Sequence, residues 1–173
     1  MAVIKNINTG EVIFKSDNES FGETVIEAIA QGVSLAFADL RGKNLSGYDF
    51  RGVDFSGAQL ACADLRGSIL DECTFNFTNL SAAKMQESSL KFVRMLNAKV
   101  ISTEFPDGAA LVQSGSGLPY FYFDRTIEVY GFEPKETDFW EHMTLDEALA
   151  YGGTRLQSSL VKLQNAIRYF NEQ

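Results

Sequence analysis

Ala38-Asp39-Leu40-Arg41-Gly42-Lys43-Asn44-Leu45-Ser46-Gly47 opens a beat of five that the chain keeps from Val33 to Phe105. Every fifth residue is large and apolar: Leu35, Leu40, Leu45, Phe50, Phe55, Leu60, Leu65, Leu70, Phe75, Leu80, Met85, Leu90, Met95, Val100 and Phe105. Two places before each stands a second series, and thirteen of its fifteen members are small or Val. The exceptions, Lys43 and Tyr48, are neighbours near the start.

A helix turns about 100° per residue, so a spacing of five would wind the apolar set around every side. A straight strand would send alternate members to opposite faces. The pattern closes only if the chain turns a corner in every quintet. Positions two apart on an extended segment point the same way, so the small and the large residue face inward and the one between them faces out. The other two residues form the corner. Gly42, Gly47, Gly52, Gly57 and Gly67 fall there, as tight corners favour. The product is an all-β solenoid, each coil hydrogen-bonded to the next.

This segment resembles the pentapeptide-repeat family, whose repeat reads A-(D/N)-L-x-x. The match is carried by Ala38-Asp39-Leu40-Arg41-Gly42, Lys43-Asn44-Leu45-Ser46-Gly47, Val53-Asp54-Phe55-Ser56-Gly57 and Ala63-Asp64-Leu65-Arg66-Gly67. Later repeats such as Ser68-Ile69-Leu70, Ala83-Lys84-Met85 and Val93-Arg94-Met95 keep the phase but lose the acid or amide. The resemblance implies a right-handed quadrilateral β-helix with four repeats per coil, whereas the spacing alone allows three sides or four. Four sides would give between three and four coils, a rod about 17 Å long at about 4.8 Å per coil.

The repeats divide the chain into residues 1–32, 33–105 and 106–173. The first part is read as an α/β cap. Val3–Ile7 and Glu11–Lys15 flank Asn8-Thr9-Gly10 as a hairpin, and Ser20-Phe21-Gly22-Glu23 has capping-box spacing ahead of a helix ending at Gly32. Lys43 and Tyr48 fall in the first coil, which is expected to be distorted where this cap docks. A hairpin and helix running into the repeats is also similar to small pentapeptide-repeat proteins of phages and bacteria. The last part is read as an α+β cap. Tyr120–Phe123 and Thr126–Tyr130 are expected strands, Thr144-Leu145-Asp146-Glu147 opens a helix ending by Gly152-Gly153, and Thr154 caps a last helix. Leu156, Leu160, Leu163, Ile167 and Phe170 form one apolar stripe on that helix, which is core or the seam of a homodimer.

Charge is unevenly placed. The formal total is −8; residues 33–105 hold eight acidic and eight basic residues, so the rod sums to zero. Residues 1–32 sum to −3 and residues 106–173 to −5. No basic patch favours direct nucleic-acid binding. Asp39/Arg41, Asp49/Arg51 and Asp64/Arg66 read as weak surface ion pairs. No apolar run reaches the roughly 20 residues needed to span a bilayer. The first residues, Met1-Ala2-Val3-Ile4-Lys5-Asn6, do not read as a secretory signal, so a cytoplasmic protein is expected.

No catalytic, metal or cofactor site is legible. The single histidine, His142, reads as structural or solvated, Cys62 and Cys73 as reduced packing thiols, and the corner glycines belong to the repeat rather than to a phosphate loop. No cofactor and no enzyme activity are expected. The expected function is protein binding: a rigid rod whose partner is occluded or scaffolded. Candidate contacts are Phe77 and Phe92, which face outward, and the acidic set Glu133, Glu136, Asp138, Glu141, Asp146 and Glu147. The resemblance and the phage-like N-terminal layout suggest an inhibitor of a host or defence enzyme, one that handles nucleic acid. The alternatives are a DNA-gyrase modulator acting by DNA mimicry, which a neutral rod disfavours, and a cryptic enzyme.

Overall fold

Between Asn44 and Asp64, between Asp49 and Ile69, and on through Lys84 and Glu104, parallel bridges join residues twenty positions apart. A beat of five with a register of twenty places four repeats on each coil, so the solenoid has four sides. The computed structural model describes residues 1–112, 120–123, 126–129, 135–136, 139–140 and 142–172. Two units are distinguished, Met1–Asp107 and Gly108–Gln173. The repeats and the N-terminal segment share the first of these.

One quintet shows how the backbone is satisfied. In Ala63–Gly67, the Ala63 N–H donates to the Leu60 carbonyl across the corner at 3.0 Å. The Asp64 N–H donates to Lys43 in the previous coil, and those of Leu65 and Gly67 to Lys84 and Gln86 in the next. One N–H remains, that of Arg66, and the Asp64 carboxylate two residues earlier accepts it at 3.2 Å. This is the physical reason for an acid or amide at the second place of the repeat: its side chain bonds to the backbone two residues on and favours the turn. Asn44, Asp49, Asp54 and Asn79 do the same for Ser46, Arg51, Ser56 and Ser81. Where later repeats lose that residue, the acceptor moves. The Lys91 and Leu96 N–H groups donate to Asp71 and Asn76 of the previous coil, each at 2.9 Å.

The corners share one geometry. All fourteen second-corner residues from Phe37 to Ser102 have φ between 55° and 76°. With a bond from the fourth residue back to the first, this is the left-handed third residue of a type II turn. Glycine occupies it early. From Glu72 to Ser102 the same conformation is imposed on Glu72, Phe77, Ala82, Glu87, Phe92, Asn97 and Ser102. The ladder on either side holds them there against a cost of about 1–2 kcal/mol per residue.

The interior is a column of Leu, Phe and Met. Leu40, Leu60 and Leu80 are fully buried, as are Phe50, Phe55 and Phe75. Phe55 and Phe75 stack across adjacent coils with centroids 5.5 Å apart, and Phe50 meets Phe55 edge-on at 5.9 Å. The inward small positions hold hydroxyls and a thiol that are not left unpaired. Ser68, Cys73, Thr78 and Thr103 donate to the carbonyls of Leu45, Phe50, Phe55 and Leu80 at 2.7–3.0 Å. Each of those carbonyls belongs to the apolar residue of the previous coil, so the polar atoms bind one coil to the next.

The N-terminal segment packs on the first coil. Strands β1 (Ala2–Lys5) and β2 (Val12–Ser16) form an antiparallel hairpin, followed by α1 (Phe21–Ala30). The Lys5 carbonyl accepts the Asp39 N–H at 2.8 Å, and Ile7 donates to Phe37. The hairpin thus takes the place that a preceding coil would occupy. Ser20 caps α1, and its Oγ lies 2.9 Å from the Tyr48 hydroxyl. Lys43 Nζ sits 4.5 Å over the Phe21 ring. The two misfits of the inward series are therefore the seat of α1. The expected distortion of this coil does not occur, because its bridges at Asn44 and Asp49 stay in register. The misfit side chains meet the helix while the backbone holds its path.

In the second unit β3 (Ala110–Val112), β4 (Tyr120–Phe123), β5 (Thr126–Val129) and β6 (Lys135–Glu136) form an antiparallel sheet in chain order. The expected strands are β4 and β5; β3 and β6 carried no legible pattern, and Tyr130 lies outside the described residues. Helix α2 then runs unbroken from Leu145 to Asn171. This corrects the two-helix reading: Gly152-Gly153 does not end a helix and Thr154 does not begin one. Glycine costs a helix about 1 kcal/mol per residue relative to Ala, too little to break one packed along both halves. Thr144 and Glu147 form a complete capping box at its start.

Candidate interaction surface

The four-sided register decides which outward residues become neighbours. Phe37, Gly57 and Phe77 stand on one corner, one coil apart each. The Phe37 ring lies over Gly57, where a Cβ would come within 2.4 Å of it. Phe77, two coils from Phe37, is 60% exposed, and Phe37 is 44% exposed. Phe92 shares the left-handed corner geometry but is half-buried, so it presents less surface than Phe77. Ile101 is 66% exposed.

The charged pairs on the outer faces are short and local. Arg41 reaches Asp39 at 2.7 Å and Arg66 reaches Asp64 at 2.6 Å; Arg51 and Asp49 are 3.9 Å apart. The hydrogen-bonded guanidinium beside each of Asp39 and Asp64 holds that carboxyl below its ordinary range, against the smaller opposing effect of partial burial. Both acids are thus held ionised and already paired. Cys62 is exposed on a corner, whereas burial pushes the Cys73 thiol up to about 12. Among the described residues no group of three or more His, Cys, Asp or Glu is placed to hold a metal ion, and no helix is long and apolar enough to cross a membrane.

Of the acidic candidates, Glu136, Asp146 and Glu147 are exposed. Glu136 is on β6, and the other two are in the first turn of α2. Glu133, Asp138 and Glu141 lie outside the described residues. Of the two readings of the apolar stripe on α2, core or dimer seam, three places are core: Leu160, Leu163 and Ile167 are 1%, 3% and 0% exposed within the single chain. The side chains of Leu156 and Phe170 lie outside the described residues. Gln164 ties the same helix to the preceding segment, donating to the Trp140 and Met143 carbonyls at 3.1 and 2.9 Å.

Sequence reasoning passed over a cleft at the start of α2. It has a volume of about 560 Å³ and is lined, among the described residues, by Phe139, His142, Met143, Glu147, Ala150 and Tyr151. Phe139 and Tyr151 face it at a centroid distance of 5.6 Å, and both pack edge-on against buried Trp140. The spacing of Glu147 and Tyr151, four apart on one helix face, was the available signal.

A coil of four quintets, with acid or amide side chains completing its corners, defines a pentapeptide β-helix. Residues 31–61 and 58–91 match the model of the pentapeptide-repeat family in eight copies. No curated protein matches the chain. Similar solved structures include a pentapeptide repeat protein of the cyanobacterium Cyanothece 51142, 25% identical over 36% of this chain and 40% of that one, with a TM-score of 0.25. A second, from Nostoc PCC 7120, is 23% identical over 54% and 90% of the two chains, with a TM-score of 0.29. A third, from the thylakoid lumen of Arabidopsis thaliana, is 17% identical over 75% and 88%, with a TM-score of 0.27. The chain therefore spans well under half of the Cyanothece protein's length.

Proposed function

We propose that this chain is a non-catalytic protein-binding module, in which the pentapeptide coil is a rigid support and its exposed corner aromatics and acidic C-terminal unit make the contacts. The observation that carries this reading is Phe77, a large ring 60% exposed on a corner that the backbone ladder holds still. An exposed aromatic on a rigid support loses little conformational entropy when it is covered. Exposed Glu136, Asp146 and Glu147 add charge that would speed encounter with a basic partner surface. The hairpin and α1 serve as the N-terminal cap, and the C-terminal unit as the second cap and contact region. The partner is a host or defence enzyme that handles nucleic acid, occluded by a phage- or mobile-element-borne inhibitor in the cytoplasm. Paired acids and a neutral coil favour this over DNA mimicry.

The test is affinity capture from host lysate with three baits: the parent chain, Phe77→Ser, and a charge reversal at Glu136, Asp138 and Glu141. An enzyme retained by the parent, inhibited by it at stoichiometric ratio and lost from both variants is expected. Equal retention on all three baits would overturn the assignment of these contacts.

A further inference from the structure

The cleft at the head of α2 combines an aromatic lining with a carboxylate held in place. Its walls are aromatic and apolar, with Phe139 39% and Tyr151 42% exposed. Among its described lining residues Glu147 is the one carboxylate. That carboxylate is held in place: its Oε2 accepts both the backbone N–H and the hydroxyl of Thr144, each at 2.8 Å. Those bonds, the backbone one foremost, hold the carboxyl below its ordinary range, so it is ionised at neutral pH. Among the described residues Oε1 accepts no bond. The faces of the aromatic rings carry partial negative charge, and the chain already uses one of them for a cation: Lys135 Nζ lies 5.8 Å from the Phe139 centroid. Residues 106–173 as a whole carry ten acidic against five basic groups.

We propose that this cleft binds an arginine side chain presented by the protein partner, the guanidinium lying against Phe139 and Tyr151 and donating to Glu147 Oε1. The proposal rests on the protein-binding reading above and names the chemistry recognised at one of its contacts. A planar guanidinium suits the cleft because it stacks on rings and donates hydrogen bonds in its own plane. An anionic group would meet Glu147 and the net charge of the unit. A purely apolar side chain would cover an ionised carboxylate without pairing it, which is unfavourable.

The chain contains one tryptophan, and Trp140 packs 5.0 Å from Phe139 and 6.0 Å from Tyr151, so it reports on the cleft. The full chain is titrated with N-acetyl-arginine methylamide and, in parallel, with the citrulline analogue, which has nearly the same shape and no charge. A saturable change in Trp140 fluorescence is expected with a dissociation constant on the order of millimolar for arginine, and about tenfold weaker binding for citrulline. Glu147→Gln keeps a capping-box residue at that place, so the chain should stay folded with a slightly lower thermal midpoint, while arginine binding weakens about tenfold. Phe139→Leu should weaken it similarly. Absence of saturation, equal binding of citrulline, or an unaffected Glu147→Gln variant would each overturn the proposal. Such a failure with Phe77-dependent capture intact would remove the arginine site alone; loss of that capture is what would remove the protein-binding reading.

Discussion

Gly22 stands in the first turn of α1, where alanine is ordinarily the better helix former by up to about 1 kcal/mol. Here the sign should reverse. A Cβ at Gly22 would come within 2.1 Å of Tyr48 Cε2 and 2.6 Å of Cζ. The ring cannot swing away freely, because its hydroxyl is 2.9 Å from Ser20 Oγ and its centroid 6.0 Å from that of Phe50. Overpacking of this kind costs about 1–3 kcal/mol. After the helix gain, Gly22→Ala should destabilise the parent by about 1–2 kcal/mol. In a Tyr48→Ala background the obstacle is gone, and the same change should stabilise by up to about 1 kcal/mol. The coupling between the two sites is therefore about 2 kcal/mol, inside the range seen for residues in contact. Urea unfolding followed by far-ultraviolet circular dichroism gives the four corners of the cycle. Additive effects, or stabilisation by Gly22→Ala in the parent, would refute the claim that Tyr48 is the seat of the N-terminal helix.

Two further predictions concern the coil. Ala82 and Ala83 are adjacent and should respond oppositely to glycine: exposed Ala82 has φ 56° and its replacement should stabilise by about 0.5–1 kcal/mol, while buried Ala83 should lose about 1–2 kcal/mol by the same change. Equal signs in urea unfolding would contradict the corner geometry. Burial raises the Cys73 thiol from 9.0 to about 12, so between those pH values the unfolded chain has released a proton that the native chain keeps. The unfolded state binds fewer protons there, and stability falls as pH rises, by about 1.4 kcal/mol per pH unit from this group. Well below pH 9 the thiol is protonated in both states and contributes no slope. Cys73→Ser retains a donor for the Phe50 carbonyl and should lack this fall relative to the parent, measured by urea midpoints across the alkaline range.

The inward series was legible because a side chain fully enclosed at every fifth place must be apolar, and Leu40, Leu60 and Leu80 obey that without exception. The number of sides was not legible, since the beat of five fixes the length of a side and not how many sides close a coil. Lys43 and Tyr48 were visible as misfits, and their location was read as the place where the N-terminal cap docks; that it is α1 which they meet was not legible. Their effect was misread, because a long side chain can leave the interior series without bending its backbone. The hydroxyl and thiol donors at Ser68, Cys73, Thr78 and Thr103 hid behind their small size, which was sufficient reason for them to be there. The left-handed corners at Glu72, Phe77 and Glu87 carried no sequence signal, since the ladder rather than the residue type imposes them. Gly152-Gly153 misled for the opposite reason: a strong local signal was outweighed by packing along α2. The aromatic cleft escaped because Phe139 and Tyr151 belong to different segments that meet only in the folded unit.

The four-sided register itself can be observed bond by bond. Scalar couplings across hydrogen bonds, measured by nuclear magnetic resonance on isotopically labelled chain, should connect the Leu45 N–H to the Asp64 carbonyl and the Leu65 N–H to the Lys84 carbonyl, at donor–acceptor distances of 2.8 and 2.7 Å. Couplings to carbonyls one repeat closer would mean a three-sided coil, and the corner of Phe37, Gly57 and Phe77 would not exist.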